Sequence, residues 1–183
     1  MKITYSNIEG LVILEPRIFE DDRGFFFESY NEKILNDVLP NLSFVQENQS
    51  CSKKNVLRGL HFQIPPHAQA KLVRVLYGKV LDVVVDLRSD SKTYGESFSI
   101  ELSAENNKQL YIPRGFAHGF LSLIDDTIFS YKCDEFYAKE AERSIIWNDS
   151  TLKIDWDIVN PILSAKDVSD AEEFIRFDSP FTN

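Results

Sequence analysis

His61, His67 and His118 are all the imidazole groups in this chain, so histidine chemistry can be weighed residue by residue. Side chains alternate across a strand, and parity within each β-like run tests which polar groups can face one interior. In the Lys71–Tyr77 run, Lys71 shares a face with Val73, Val75 and Tyr77; the 117–123 run groups His118 with Phe120 and Ser122; the 127–132 run sets Tyr131 beside Phe129. One interior can therefore collect an ammonium, an imidazole and a phenol, with the Arg58 guanidinium nearby in sequence. That set suits proton transfer on an anionic substrate. Each group also has an ordinary role open to it: His118 as a hydrogen-bonded core residue, Tyr131 as a barrel aromatic, Lys71 as a surface chain with a buried stem.

Two further groups are less settled. Strict alternation sends Arg58 and His61 to opposite faces, unless Gly59 between them carries a bulge that resets the parity. Asp82 and Asp86 share the polar parity of the 80–87 run, where either can face solvent, and Asp82 is the better candidate for the cavity. Arg58, Lys71, Arg74 and Arg114 fall in the middle third of the chain, where sheet pairing can gather them into a local positive patch; scattered solubilising charges are the alternative.

The elements that must position these groups are strands. Short β-branched and aromatic runs separated by turn residues fill residues 57–133, the pattern of an antiparallel sandwich or barrel. Strands are expected at 11–15, 25–29, 57–62, 71–77, 80–87, 97–102, 108–112, 117–123 and 127–132. Turns are expected at Tyr77-Gly78, Ser89 to Gly95, Asn106-Asn107 and Asp125-Asp126. Helices are few: one near 32–38, stopped before Pro40, and a short one near 170–174. The last 25 residues lack β periodicity and should pack over the end of the barrel. The expectation is an all-β, double-sheet jelly roll with a few short helices, formed as a single domain over 1–183. Its exposed sheet edges need cover, which makes a homodimer the expected assembly.

Composition narrows the function. A formal charge of −9 argues against nucleic-acid binding, which shows a basic footprint. No stretch approaches the roughly 18 apolar residues of a membrane span, and no targeting segment is evident. Cys51 and Cys133 are too few and too unpatterned for a disulfide framework or a Cys-based zinc site, so free thiols in a cytoplasmic location are expected.

The segment Pro113-Arg114-Gly115-Phe116-Ala117-His118 resembles the second motif of the cupin superfamily, a double-stranded β-helix. Metal-binding cupins supply a His-x-His pair and then a glutamate from their first motif. Here that stretch reads His61-Phe62-Gln63, with Lys71 in the region where the acidic ligand is wanted. An ammonium repels a divalent metal and an amide is a poor substitute for imidazole, so no metal and no cofactor are expected.

Longer segments resemble the dTDP-4-dehydrorhamnose 3,5-epimerase family over nearly the whole chain. They include Asp22-Arg23-Gly24-Phe25-Phe26-Phe27-Glu28, Phe44-Val45-Gln46-Glu47-Asn48-Gln49-Ser50, Leu57-Arg58-Gly59-Leu60-His61-Phe62-Gln63, Gln69-Ala70-Lys71-Leu72-Val73-Arg74-Val75 and Ile162-Leu163-Ser164-Ala165-Lys166-Asp167. The resemblance implies inversion of C3 and C5 of dTDP-4-dehydro-6-deoxy-D-glucose beside its ketone. It implies His61 as general base paired with Asp167, Tyr131 as the acid across the sugar, and Lys71, Arg58, His118 and Asp82 as polar lining. It places Arg23, Glu28, Gln46 and Asn48 with the nucleotide, the N-terminal segment reaching into a partner subunit. Phe62 and the Phe136-Tyr137 pair stand where tyrosines are commoner, which keeps aromatic surface and removes hydroxyls. A one-carbon epimerase on a related nucleotide sugar and a non-catalytic sugar-nucleotide-binding cupin are the competing readings; binding alone needs no acid and base.

Overall fold

A computed structural model of the chain describes residues 1–40 and 42–182. Its strands are β1 (Lys2–Tyr5), β2 (Val12–Glu15), β3 (Phe19–Asp21), β4 (Gly24–Phe26), β5 (Gln46–Ser52), β6 (Leu57–Gln63), β7 (Lys71–Tyr77), β8 (Lys79–Asp86), β9 (Ser97–Ser103), β10 (Gln109–Ile112), β11 (Phe116–Ser122), β12 (Thr127–Cys133) and β13 (Glu142–Ser144). The helices are α1 (Glu32–Asn36) and α2 (Ala165–Ser169). A six-stranded sheet runs β1-β2-β10-β7-β12-β5 and a five-stranded sheet runs β13-β6-β11-β8-β9; β3 and β4 form a separate hairpin. All named strand pairs are antiparallel. This is the expected all-β jelly roll.

Three apolar layers explain why the strands do not all alternate apolar with polar. Val73, Val75, Leu110 and Phe129 of the six-stranded sheet meet Val80, Val84, Phe116 and Phe120 of the other sheet in the middle layer. The outer face of the five-stranded sheet, with Leu60, Phe62, Val83, Val85 and Leu87, is covered by Ile145, Trp156, Phe174 and Phe181 from the C-terminal part. The outer face of the six-stranded sheet is covered in part by Tyr30, Leu35 and Phe44, packed on Val12, Leu14 and Leu72. A strand covered on both faces has no solvent side, so β11 is buried at every position.

That geometry corrects the reading of Asp82 and Asp86. Their parity is the one shared with Val80 and Val84, which faces the space between the sheets. Both are fully buried. Asp86 is spent on structure: it accepts from Arg88 Nε at 2.9 Å, Arg88 Nη2 at 2.7 Å, Ser91 Oγ at 2.6 Å and Thr93 Oγ1 at 2.7 Å. Tyr77 also departs from its expected face, because a register shift between Ile128 and Phe129 turns it out to 56% exposure.

The expected turns carry the positive φ values their residues suit: Gly78 at 81°, Gly95 at 78°, Asn107 at 51° and Asp126 at 57°. The second helix sits earlier than expected, at α2. Ser164 caps it, its Oγ accepting from Asp167 N while Asp167 Oδ2 accepts from Ser164 N, a reciprocal capping box. Residues 174–176 form a 3-10 turn instead. No helix among the described residues is long and apolar enough to cross a membrane.

Candidate active site

A cavity of about 340 Å3 opens between the sheets, walled by β5, β6, β7, β11 and β12 and closed on one side by α2 and β13. His61, Lys71, Tyr131, Asp167, Arg58, His118, Gln46 and Asn48 all line it. The parity of Lys71, His118 and Tyr131 is as expected.

The Arg58–His61 question resolves through a bulge in β6. Arg58 stands opposite Phe120 and His61 opposite His118, so Gly59 and Leu60 of β6 are matched by the single Gly119 of β11. Gly59 makes this possible. Its φ is +138°, and a Cβ there would lie 2.4 Å from Gly119 Cα and 2.9 Å from the His118 carbonyl oxygen. The extra residue resets the parity, and Arg58 and His61 face the same interior while Leu57, Leu60 and Phe62 pack outward.

His61 Nε2 lies 2.6 Å from Asp167 Oδ1. Asp167 is buried and also accepts from Ser164 Oγ at 2.6 Å. Burial pushes its carboxyl up, but the hydrogen bonds from His61 and Ser164 outweigh it and bring the pKa down to about 2. Asp167 is thus an anion at neutral pH and can only accept, which fixes the proton of neutral His61 on Nε2 and leaves Nδ1 with a lone pair. An imidazole so held is ready to take a proton, and the carboxylate stabilises the cation that results.

His118 Nε2 is 2.9 Å from Asp82 Oδ2. Asp82, expected among the polar lining, is not among the residues that wall the cavity; it is buried and bonded to His118, which does line it. Burial raises the Asp82 pKa, with His118 and Lys71 opposing. Lys71 Nζ has no hydrogen bond or ion pair among the described residues, and lies 5.8 Å from the Tyr131 ring centroid. Burial lowers its pKa, while Cys133, Asp82 and Glu142 act in the other direction. Tyr131 is pushed above the ordinary phenol value, chiefly by burial, and stays protonated at neutral pH. Phe120 and Phe129, stacked at 4.2 Å, supply apolar wall.

Two expected nucleotide contacts do not reach this cavity. Arg23 sits on the exposed β3–β4 hairpin, bonded to Asp21, and lines a surface hollow with Phe25 and Phe26. Glu28 accepts from Asn31 Nδ2 at 3.0 Å, beside the start of α1. The positive patch is likewise split: Arg58 and Lys71 face the cavity, Arg74 lines a different hollow, and Arg114 is 2.9 Å from Asp134.

Several lining groups escaped the sequence reading, among them Glu142, Lys166 and Gln69. Residues 134–138 form a strap at the cavity, held by three glutamines. Gln46 Oε1 accepts from Tyr137 N at 3.1 Å, Gln69 Nε2 donates to the Glu135 carbonyl at 2.7 Å, and Gln63 bonds both the Phe136 carbonyl (3.2 Å) and Ala138 N (2.8 Å). Gln63 Nε2 also donates to the His67 carbonyl at 2.7 Å. The amide in the position of a cupin ligand is therefore fully used by backbone, and no group of three His, Cys, Asp or Glu side chains that could hold a metal occurs among the described residues. The run of polar residues in Gln46–Ser52 was the available signal for β5; it lacks apolar alternation because one face lines the cavity.

Comparison with known proteins adds an independent result. The sequence model of the dTDP-4-dehydrorhamnose 3,5-epimerase family matches residues 5–173. A protein of that description from Shigella flexneri is 48% identical over 179 residues, covering 97% of this chain and 98% of its own length. The crystal structure of a dTDP-4-dehydrorhamnose 3,5-epimerase from Elizabethkingia anophelis superposes with a TM-score of 0.91 at 52% identity, covering 96% of this chain and 97% of the other. A Legionella pneumophila dTDP-6-deoxy-D-glucose-3,5-epimerase, solved with dTDP-4-keto-L-rhamnose, gives a TM-score of 0.94 at 43% identity, covering 100% of this chain and 98% of the other.

Proposed function

We infer that this chain, which belongs to the dTDP-4-dehydrorhamnose 3,5-epimerase family, is an isomerase that inverts C3 and C5 of dTDP-4-dehydro-6-deoxy-D-glucose to give dTDP-4-dehydro-L-rhamnose. The observation that carries this reading is a base, a cation and an acid in one cavity: the 2.6 Å His61–Asp167 pair together with Lys71 and Tyr131.

His61 Nδ1 takes the proton from the carbon beside the ketone, and the electron pair moves onto the C4 oxygen as an enolate. Lys71, with His118, faces that developing charge. A cation already enclosed and free of a carboxylate partner spends little on reorganisation there. Tyr131 then protonates the carbon from the opposite face, and solvent restores its proton as His61 loses its own. Asp167 orients His61, and Asp82 orients His118. Repeating the cycle at the second carbon requires only that the enolate be formed toward the other neighbour of the ketone.

Arg58, Gln46 and Asn48 hold the nucleotide part, the planar guanidinium suiting a diphosphate. Arg23 and Glu28 complete the site of a second copy. The exposed Phe19, Phe25 and Phe26 of the hairpin, at 51%, 63% and 70% exposure, support this, since an apolar hairpin left in water marks an interaction surface. The working unit in this reading is a cytoplasmic homodimer of single-domain chains without a metal.

Proton NMR of the protein with dTDP-4-dehydro-6-deoxy-D-glucose in deuterated water plus a chelator tests it. Solvent deuterium should enter positions 3 and 5, and His61→Ala should abolish both. Exchange at one carbon only would replace this reading with a one-carbon epimerase. Tight binding of the sugar nucleotide without exchange would replace it with a binding protein.

A further inference from the structure

Apart from Asp167, one carboxylate lines the cavity among the described residues, that of Glu142. On the wall of a site for a diphosphate, a negative charge is unfavourable by itself, so its contacts decide what it does. The Glu142 side chain is 16% exposed, and its Oε2 both pairs with Lys166 Nζ and accepts from Tyr137 OH at 2.6 Å. Burial pushes this carboxyl up, yet the bonds from Lys166 and Tyr137 hold it below the ordinary value, so it is ionised at neutral pH.

The three residues belong to three separate parts of the site. Glu142 begins β13, which pairs with β6 so that Glu142 faces Gln63 and Ser144 faces His61. Lys166 directly precedes Asp167 in α2, and Tyr137 lies in the strap held by the glutamines. The capping box ties Asp167 only to its own helix. Backbone bridges anchor the chain on both sides of α2, Val56–Ile162 ahead of it and Ile145–Glu172 behind it; within the helix, the side-chain ties toward His61 are the Asp167 bonds with His61 and Gly59 and the Glu142–Lys166 pair.

We propose that Glu142 is a positioning residue that couples the two halves of the site: through Lys166 it holds Asp167 against His61, and through Tyr137 it holds the strap at the nucleotide end. The proposal rests on the epimerase reading for its kinetic consequence, but the contacts themselves do not. It assigns Glu142 no contact with the reacting carbons. Because one carboxylate serves both partners, loosening the strap and loosening the helix are linked events.

The test uses the full chain and the variants Glu142→Ala, Glu142→Gln, Lys166→Met and Glu142→Ala/Lys166→Met. Three readouts are taken: deuterium exchange from dTDP-4-dehydro-6-deoxy-D-glucose, calorimetric binding of dTDP, and the downfield proton resonance of the His61–Asp167 hydrogen bond. Glu142→Ala and Lys166→Met should each lower the exchange rate about tenfold, the double variant should be no slower than Glu142→Ala, and the downfield resonance should broaden or vanish in each. Glu142→Ala should also weaken dTDP binding severalfold, and Glu142→Gln, which still accepts both hydrogen bonds, should recover part of each loss. An unchanged resonance in Glu142→Ala, or rate losses that multiply in the double variant, would overturn the coupling. Should Glu142→Ala fold poorly, Lys166→Met alone decides the helix half through the resonance. Failure of the epimerase reading shows separately, as wild-type protein that exchanges no deuterium while still displaying the resonance and its loss.

Discussion

Asp167→Asn separates orientation from shape. The buried carboxylate accepts from Gly59 N at 3.4 Å and His61 Nε2 at 2.6 Å on Oδ1, and from Ser164 N at 3.1 Å and Ser164 Oγ at 2.6 Å on Oδ2. Asparagine keeps the outline but has one acceptor oxygen. Turning its NH2 toward Ser164 sets donor against donor and strands a backbone N–H, at a cost of about 1–3 kcal/mol. Turning it toward His61 gives up the long 3.4 Å bond from Gly59 N and asks that the imidazole accept at Nε2 and move its proton to Nδ1, a smaller change than losing both shorter bonds from Ser164. The second arrangement prevails, and it occupies the one nitrogen able to act as base. In the serine-protease triad the corresponding change costs about 10^4 in kcat; here a fall of about 10^3 to 10^4 in exchange at both carbons is expected, with dTDP binding little altered. The assay is deuterium incorporation by NMR under single-turnover conditions, beside calorimetry with dTDP. A variant that keeps more than about a tenth of the wild-type rate would refute the orienting role.

Three more outcomes follow from the same geometry. Asp167 is held at about 2 against an ordinary 3.8; a depressed carboxylate stabilises the fold above the unfolded value and ceases to do so as pH falls through the folded one. Urea unfolding should therefore lose about 2.5 kcal/mol between about pH 5 and pH 1, and Asp167→Asn should remove that part of the curve. Gly59→Ala, with φ at +138° and a Cβ 2.4 Å from Gly119 Cα, should cost about 3 kcal/mol or more and abolish exchange; a urea midpoint matching wild type would contradict the bulge. Lys71→Met should lower exchange about 10^2 to 10^3-fold yet raise the unfolding midpoint, because it removes an enclosed ammonium whose burial opposes its charge; a lowered midpoint with intact exchange would show that the lysine is structural.

The strands bearing chemistry were legible because their side chains obey a period of two. Lys71, His118 and Tyr131 came to one interior on that basis, and the runs at 71–77 and 127–132 match β7 and β12 closely. Parity failed at Asp82 and Asp86 because it sorts faces without saying which face is wet, and β8 is covered on both. At Arg58 and His61 it gave two outcomes; only the close approach of Gly59 to Gly119, a contact between residues 60 apart in sequence, selects one. β5 was missed because a strand that faces a polar cavity carries polar residues. α2 was missed although Ser164 and Asp167 carry the spacing of a capping box. The roles of His61, Tyr131 and Asp167 came from the family resemblance, since their chemistry depends on distances that parity does not contain.

The three hydrogen bonds of the Gln63 amide bear on any attempt to re-engineer the pocket. Completing a His-x-His pair by Gln63→His would look like a single step toward a metalloenzyme, since His61 is already in place. The exchange removes the fastening of residues 136 and 138, takes His61 from Asp167, and leaves a lysine facing the incoming cation. Each loss would have to be repaired before the first ion bound with useful affinity. Metal chemistry in this barrel is thus several simultaneous substitutions away, and a directed-evolution library built one position at a time would find only weakened intermediates along that route.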